Sequence, residues 1–258
     1  MNDLSDLDIH SFAQVVLKKA VNVEKLLGNR TPSKVMPDYA REPDEHEFFL
    51  IRVGVSMAEV LSCCRQLRQI PILLSNHRQI LTMDKAQINR HTMFVYHIEN
   101  YLIRTQSLFD RVLSLIDAVF HLLNAPRNRR YDVVARNVKV QVSDIVEPLK
   151  NLRKLLERYA GARNEIIHHH SIKDDALRRL DMFFLLERWE RVSPAEKPSN
   201  IPELIKDTIF EVLWFKKSEF LSFNKEVAAS IALIFDKLAP YYAREEEALR
   251  LRLSKPAN

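Results

Sequence analysis

The sequence predicts an all-α protein, a helical bundle, and three observations carry that expectation. Only 3 glycines occur among 258 residues, where average usage would give roughly 7% of the chain. Strand-rich folds need glycine for turns at positive φ, whereas long helices need none. Apolar residues recur at spacings of three and four over most of the chain, the period of a helix that buries one face. Prolines gather in two connectors, Pro32–Pro37–Pro43 and Pro194–Pro198–Pro202, as expected between helices.

The elements follow in order. Phe12, Val15, Val16, Ala20, Val23 and Leu27 place a helix over about Leu7 to Leu27, stopped by Gly28 and Asn29. Residues 30–44 read as a connector, and a second helix runs from about Glu45 to Arg68 before Pro71 interrupts or kinks it. The longest element is expected from about Lys85 to Leu123, with Phe94, Ile98, Tyr101, Thr105, Leu108, Val112, Leu115, Val119 and Leu122 on one face. Val95, Leu102, Phe109, Leu113, Ile116, Phe120 and Leu123 widen that stripe, so the helix is expected to be buried on two sides. A helix or helix pair covers Asp132 to Tyr159, and another amphipathic stretch follows Gly161 to about Trp189. Ser193 to Pro202 is a linker, after which Glu203–Leu221 and Lys225–Leu253 read as two further helices. The expected organisation is therefore 1–83, 84–192 with a helical core, and 193–258, with a single domain for all three as the alternative.

Several function classes are excluded. No GxGxxG or GxxxxGK[ST] occurs, which removes the Rossmann and P-loop enzymes. The start MNDLSDLDIH is not a secretory signal and no run of 18 apolar residues appears, so a cytoplasmic chain without a membrane span is expected. Cys63 and Cys64 are adjacent within an apolar stretch and read as small core side chains. The net charge of +5 is concentrated: residues 127–163 carry ten basic and four acidic side chains, or +6, leaving −1 elsewhere. Such a segment is a solvated helix face or a surface for phosphates.

One short stretch carries chemistry: Gly161-Ala162-Arg163-Asn164-Glu165-Ile166-Ile167-His168-His169-His170. Arginine followed at some distance by histidine is uninformative here, since Arg41…His46 and Arg90…His97 also satisfy it. The form Arg-Asn-x-x-x-His is sharper, with roughly 0.04 occurrences expected by chance from the chain's own frequencies. Of the Arg-Asn pairs at 127, 136 and 163, only the last has its histidine. The segment resembles the signature of the HEPN superfamily (higher eukaryotes and prokaryotes nucleotide-binding), with an up-and-down bundle core over about Lys85 to Trp189 and additional N- and C-terminal helices.

The resemblance implies a metal-independent RNA endonuclease with no cofactor. The 2′-hydroxyl of RNA attacks the adjacent phosphate, leaving a 2′,3′-cyclic phosphate and a 5′-hydroxyl. Histidine titrates in the range that such proton transfer needs, and a guanidinium is a permanent planar cation for the developing phosphorane charge. Arg163, His168 and Asn164 are the implied catalytic group, with His170 and Asp110 as auxiliary candidates. On an unbroken helix His168 lies about 140° round from Arg163 whereas His170 shares its face, so either Arg163 stands at a helix start or His170 is the partner. The Arg-Asn form favours His168. Among Glu99, Asp110 and Asp117 on the long helix, Asp110 is the candidate to point toward the motif; the alternative is a solvated or salt-bridged face. Arg127, Arg129, Arg130, Arg153, Lys154 and Arg158 are the candidate RNA contacts. Three successive histidines diverge on a helix, so no metal site is expected. The resemblance further implies that two motifs meet across a homodimer, with RNA as partner, a role in defence or growth control, and a neutralising protein left open. The alternative is a non-catalytic HEPN-like module that binds RNA, nucleotide or protein.

Overall fold

The structure, a computed structural model, describes residues 3–28, 39, 41–75, 90–169, 175–192 and 201–254. Among them no β-strand forms. The helices are α1 (Ser11–Leu27), α2 (Glu45–Ser75), α3 (Arg90–Val119), α4 (Tyr131–Arg136), α5 (Val138–Gln141), α6 (Val146–Leu156), α7 (Ala160–His169), α8 (Asp175–Val192) and α9 (Ile201–Leu253). Short 3-10 turns occupy Leu4–Ile9, Pro126–Asn128 and Glu157–Tyr159. No helix among the described residues is long and apolar enough to cross a membrane. Most of the two expected connectors, 29–38 and 193–200, lies outside the described residues.

The chain divides into two compact units. The first comprises Met1–Arg65, Ser107–Leu156 and Lys225–Asn258; the second comprises Gln66–Gln106 and Glu157–Asn224. In the first unit, the aromatic centre joins segments far apart in sequence. Phe49 stacks on Tyr242 at 5.6 Å, and Phe12 meets Phe235 and Tyr242 edge-on at 6.0 and 5.7 Å. Val53, Met57, Leu115, Ile116, Leu149 and Ile231 are fully buried in the same unit. Its buried charge is Asp117 on α3, which accepts from Arg52 Nη2 and, at 2.7 Å, from Asn124 Nδ2; Arg129 Nε stands 3.7 Å away. Burial pulls the Arg52 guanidinium below its ordinary pKa, and the Asp117 carboxylate opposes this.

Gly54 allows α1 and α2 to touch. A Cβ at this position would stand 2.2 Å from the Ala20 Cβ, too close for two rigidly placed atoms. Gly54→Ala is expected to destabilise the protein by about 1–3 kcal/mol through overpacking. It should do so even though alanine is favoured over glycine inside a helix by roughly 1 kcal/mol. Urea denaturation checks the sign, and Ala20→Gly in the same chain should restore the loss.

In the second unit, Tyr101 stacks on Phe220 at 3.7 Å, and Tyr159 meets Phe223 at 4.7 Å. The Tyr101 hydroxyl donates to Asn224 Oδ1 at 2.8 Å, and Asn224 Nδ2 donates to the Leu67 carbonyl at 3.4 Å. This last bond explains a departure from the sequence reading. Pro71 does not interrupt α2, which continues to Ser75. Proline has no N–H for the carbonyl four residues before it, which is that of Leu67, and the Asn224 amide supplies a donor to that oxygen instead.

Three other boundaries differ. His10 separates the Leu4–Ile9 turn from α1 and caps the helix, its Nδ1 accepting from the Phe12 N–H at 3.2 Å. The long helix α3 ends at Val119 and not at Leu123, because the chain turns there with His121 at φ 50° and Leu123 at φ 58°. The Leu122 N–H donates to the Asp117 carbonyl at 3.0 Å, and Asn124 holds the Asp117 side chain. The two helices expected after the linker are one, α9, which is the longest described element with 53 residues.

Candidate functional site

The motif lies on α7, and a buried tyrosine fixes where that helix begins. Tyr159, the last residue of the Glu157–Tyr159 turn, is buried and donates to Glu219 Oε1 at 2.8 Å. Its ring packs against Phe223 and Phe220, and the Arg158 guanidinium lies 5.1 Å over the Phe223 ring. Helix α7 then starts at Ala160, so Gly161 falls in its first turn with open space around it. Ile166 is buried and seats the helix on its unit.

Arg163 stands one turn into α7. It is half-buried, its Nη1 donates to the Asn164 Oδ1 at 3.3 Å, and its Nε is buried with no partner among the described residues. Asn164 is exposed and orients one arm of the guanidinium fork, leaving Nε without a partner among the described residues. α7 remains regular through His169, so the positions of Arg163 and His168 are about 140° apart round the axis and about 7.5 Å apart along it. The side chains of His168 and His169, and all of His170, lie outside the described residues.

The other sequence candidates fall in different surroundings. Asp110 is exposed on α3 in the first unit, whereas the motif belongs to the second. Arg127, Arg130, Arg153 and Lys154 are exposed residues of the first unit; Arg158 is an exposed residue of the second. Arg130 Nη2 lies 3.8 Å from the Asp132 carboxylate, and Arg153 covers the Tyr131 ring at 4.7 Å. Arg129 is engaged inward: its Nε donates to the Asn124 carbonyl at 3.1 Å, and its Nη1 to Ser114 Oγ at 3.5 Å. Arg129 therefore serves the turn that buries Asp117.

Polar residues that the sequence did not single out include Arg52, His121, Asn224 and Tyr242. None carries a local signal: Arg52 and Asp117 are 65 residues apart, and Tyr101 and Asn224 are 123 apart. Only Asp117 was visible beforehand, as one of three acids on a long apolar helix.

Comparison with known proteins adds one finding. The family model described as Cthe2314-like HEPN matches residues 54–237, a span that contains the whole of α7. No curated protein and no solved structure matches the chain. An all-helical chain, matched over well more than half its length and carrying Arg163, Asn164 and His168 in the Arg-Asn-x-x-x-His form, belongs to the HEPN superfamily.

Proposed function

We propose that this protein is a metal-independent RNA endonuclease whose site is composed across a homodimer. The observation that carries the reading is the state of Arg163, with one arm oriented by Asn164 and a buried Nε that has no partner among the described residues. A pre-oriented guanidinium with spare donors suits a pentavalent phosphorane, whose charge develops only during the reaction. The separation of Arg163 and His168 round α7 supports composition from two copies, since neighbouring copies can present the two groups to one phosphate from opposite sides.

In this reading His168 removes the 2′-hydroxyl proton as O2′ bonds to phosphorus. The P–O5′ bond breaks, and the departing O5′ receives a proton from the partner subunit's His168. Arg163 neutralises the equatorial oxygens throughout. The ends are a 2′,3′-cyclic phosphate and a 5′-hydroxyl.

The test uses purified protein and single-stranded RNA in excess EDTA. Cleavage is expected, with matching DNA left whole and with 2′-O-methyl or 2′-deoxy at the cut site blocking the reaction. Light scattering should report a dimer at micromolar concentration. A monomer, or cleavage of the 2′-O-methyl substrate, would refute the mechanism. A protein that binds RNA but never cuts it would establish the alternative, a non-catalytic binding module.

A further inference from the structure

The polar groups around Phe49 in the first unit take no part in the chemistry above, and they share an unusual property. Four buried side-chain atoms there have no hydrogen-bond partner among the described residues: His46 Nε2, Arg52 Nη1, His121 Nδ1 and the Tyr242 hydroxyl. They arise from three places in the chain: α2, the turn after α3, and α9. His46 and Arg52 lie three residues before and after Phe49 on α2, which is one helical turn either way. The His121 and Tyr242 rings lie 5.7 and 5.6 Å from the Phe49 ring. Tyr242 is 2% exposed. Buried polar atoms are almost always paired, so four without a partner among the described residues of one unit call for a polar ligand.

Charge accounting gives the sign of that ligand. The carboxylates nearby are already engaged: Asp117 by Arg52 Nη2 and Asn124, Glu246 by Lys19, and Glu245 by Lys139. Glu246 Oε1 stands 3.9 Å from His46 Nε2, too far for a hydrogen bond. Glu45 Oε1 is 3.6 Å from the other nitrogen of His121, and its side chain is half exposed. What remains unpaired among the described residues is one guanidinium nitrogen and one phenol, both donors, with one nitrogen of each imidazole. His121 is also held at φ 50°, a backbone state that costs energy for a residue with a Cβ and tends to occur at binding sites. Burial and then the Arg52 charge keep its imidazole below the ordinary histidine range, against the pull of Glu45, while burial and then Glu246 push the Tyr242 phenol up.

We infer that Arg52, His121, Tyr242 and His46 bind a small tetrahedral oxyanion of the phosphate type. The buried Asp117 fixes Arg52 through Nη2, so that Nη1 is presented without reorganisation as the charged donor. The Tyr242 hydroxyl supplies a neutral donor, and one nitrogen of each imidazole completes the set.

Titration calorimetry with inorganic phosphate tests this on the full chain, at constant ionic strength in chloride. Saturable binding at one site per chain is expected, with sulfate competing and acetate competing poorly. Tyr242→Phe keeps the stack on Phe49 and deletes only the hydroxyl; it should weaken phosphate by roughly tenfold. Arg52→Lys keeps a cation for Asp117 but removes the second arm, and it should weaken phosphate by at least as much. Arg163→Ala should leave the affinity unchanged, which separates this site from the motif on α7. The inference is overturned if wild-type protein shows no saturable phosphate binding, or an adventitious, non-stoichiometric uptake only. It is equally overturned if binding survives Tyr242→Phe unchanged or is lost in Arg163→Ala. Should Arg52→Lys fail to fold, Tyr242→Phe alone decides.

Discussion

His168→Ala is expected to lower the rate of RNA cleavage by about 10²–10⁴, the usual loss when a positioned proton-transfer group is removed. Arg163→Ala should cost about 10²–10³, the scale for deleting one donor to a developing oxyanion. Single-turnover kinetics with saturating RNA separates these losses from weaker binding. His169→Ala should retain activity. His170→Ala tests the helical register, because a position seven residues from Arg163 returns to its face. If His170→Ala is inactive and His168→Ala is not, the reaction stands but its histidine is the other one. If Arg163→Ala and all three histidine variants cut at the wild-type rate, the activity belongs to a contaminant and the enzyme reading fails.

The second large effect is on stability. Asp117→Ala is expected to cost about 3–5 kcal/mol, because it leaves charged Arg52 buried without its counter-charge. Equilibrium unfolding in urea measures it. Combining Asp117→Leu with Arg52→Met should recover most of the loss, since a packed apolar pair often replaces a buried ion pair at little cost. A double variant as unstable as the single one would show that Asn124 and Arg129, and not Arg52, depend on the carboxylate.

Much of the helical framework was legible because burial follows the period of the helix. Phe12, Val16, Ala20, Val23 and Leu27 are buried as their spacing requires, and so is the row from Phe94 to Val119 on α3. The departures arise where a distant polar group decides the outcome. Pro71 reads as a break because its effect on Leu67 is local, whereas the amide that compensates arrives from Asn224, 157 residues away. The polar dip at Ser222–Phe223–Asn224 reads as a gap between helices for the same reason. Asn224 is 2% exposed and works inside the core as a bonded group, so α9 continues through it. The end of α3 was hidden because no glycine or proline marks it; the turn uses His121 and Leu123 at positive φ, held by contacts to Asp117. The motif itself was legible because its residues are contiguous in the sequence. The oxyanion site was not, since its residues are contributed by α2, the turn after α3 and α9.

The interleaving of the first unit bears on how the protein is made. Phe12 and Phe49 find their partners in Phe235 and Tyr242, which are synthesised well over a hundred residues later. At the usual 5–20 residues per second, on the order of 10–35 s pass between synthesis of residue 65 and of residue 242. Throughout that interval the apolar faces of α1 and α2 lack the ring that completes their core. The second unit, by contrast, has all its segments once Asn224 is made. A message cut short after that codon would yield a chain whose motif-bearing unit has its full sequence while the other cannot close, so the final half of α9 decides when the first unit can close.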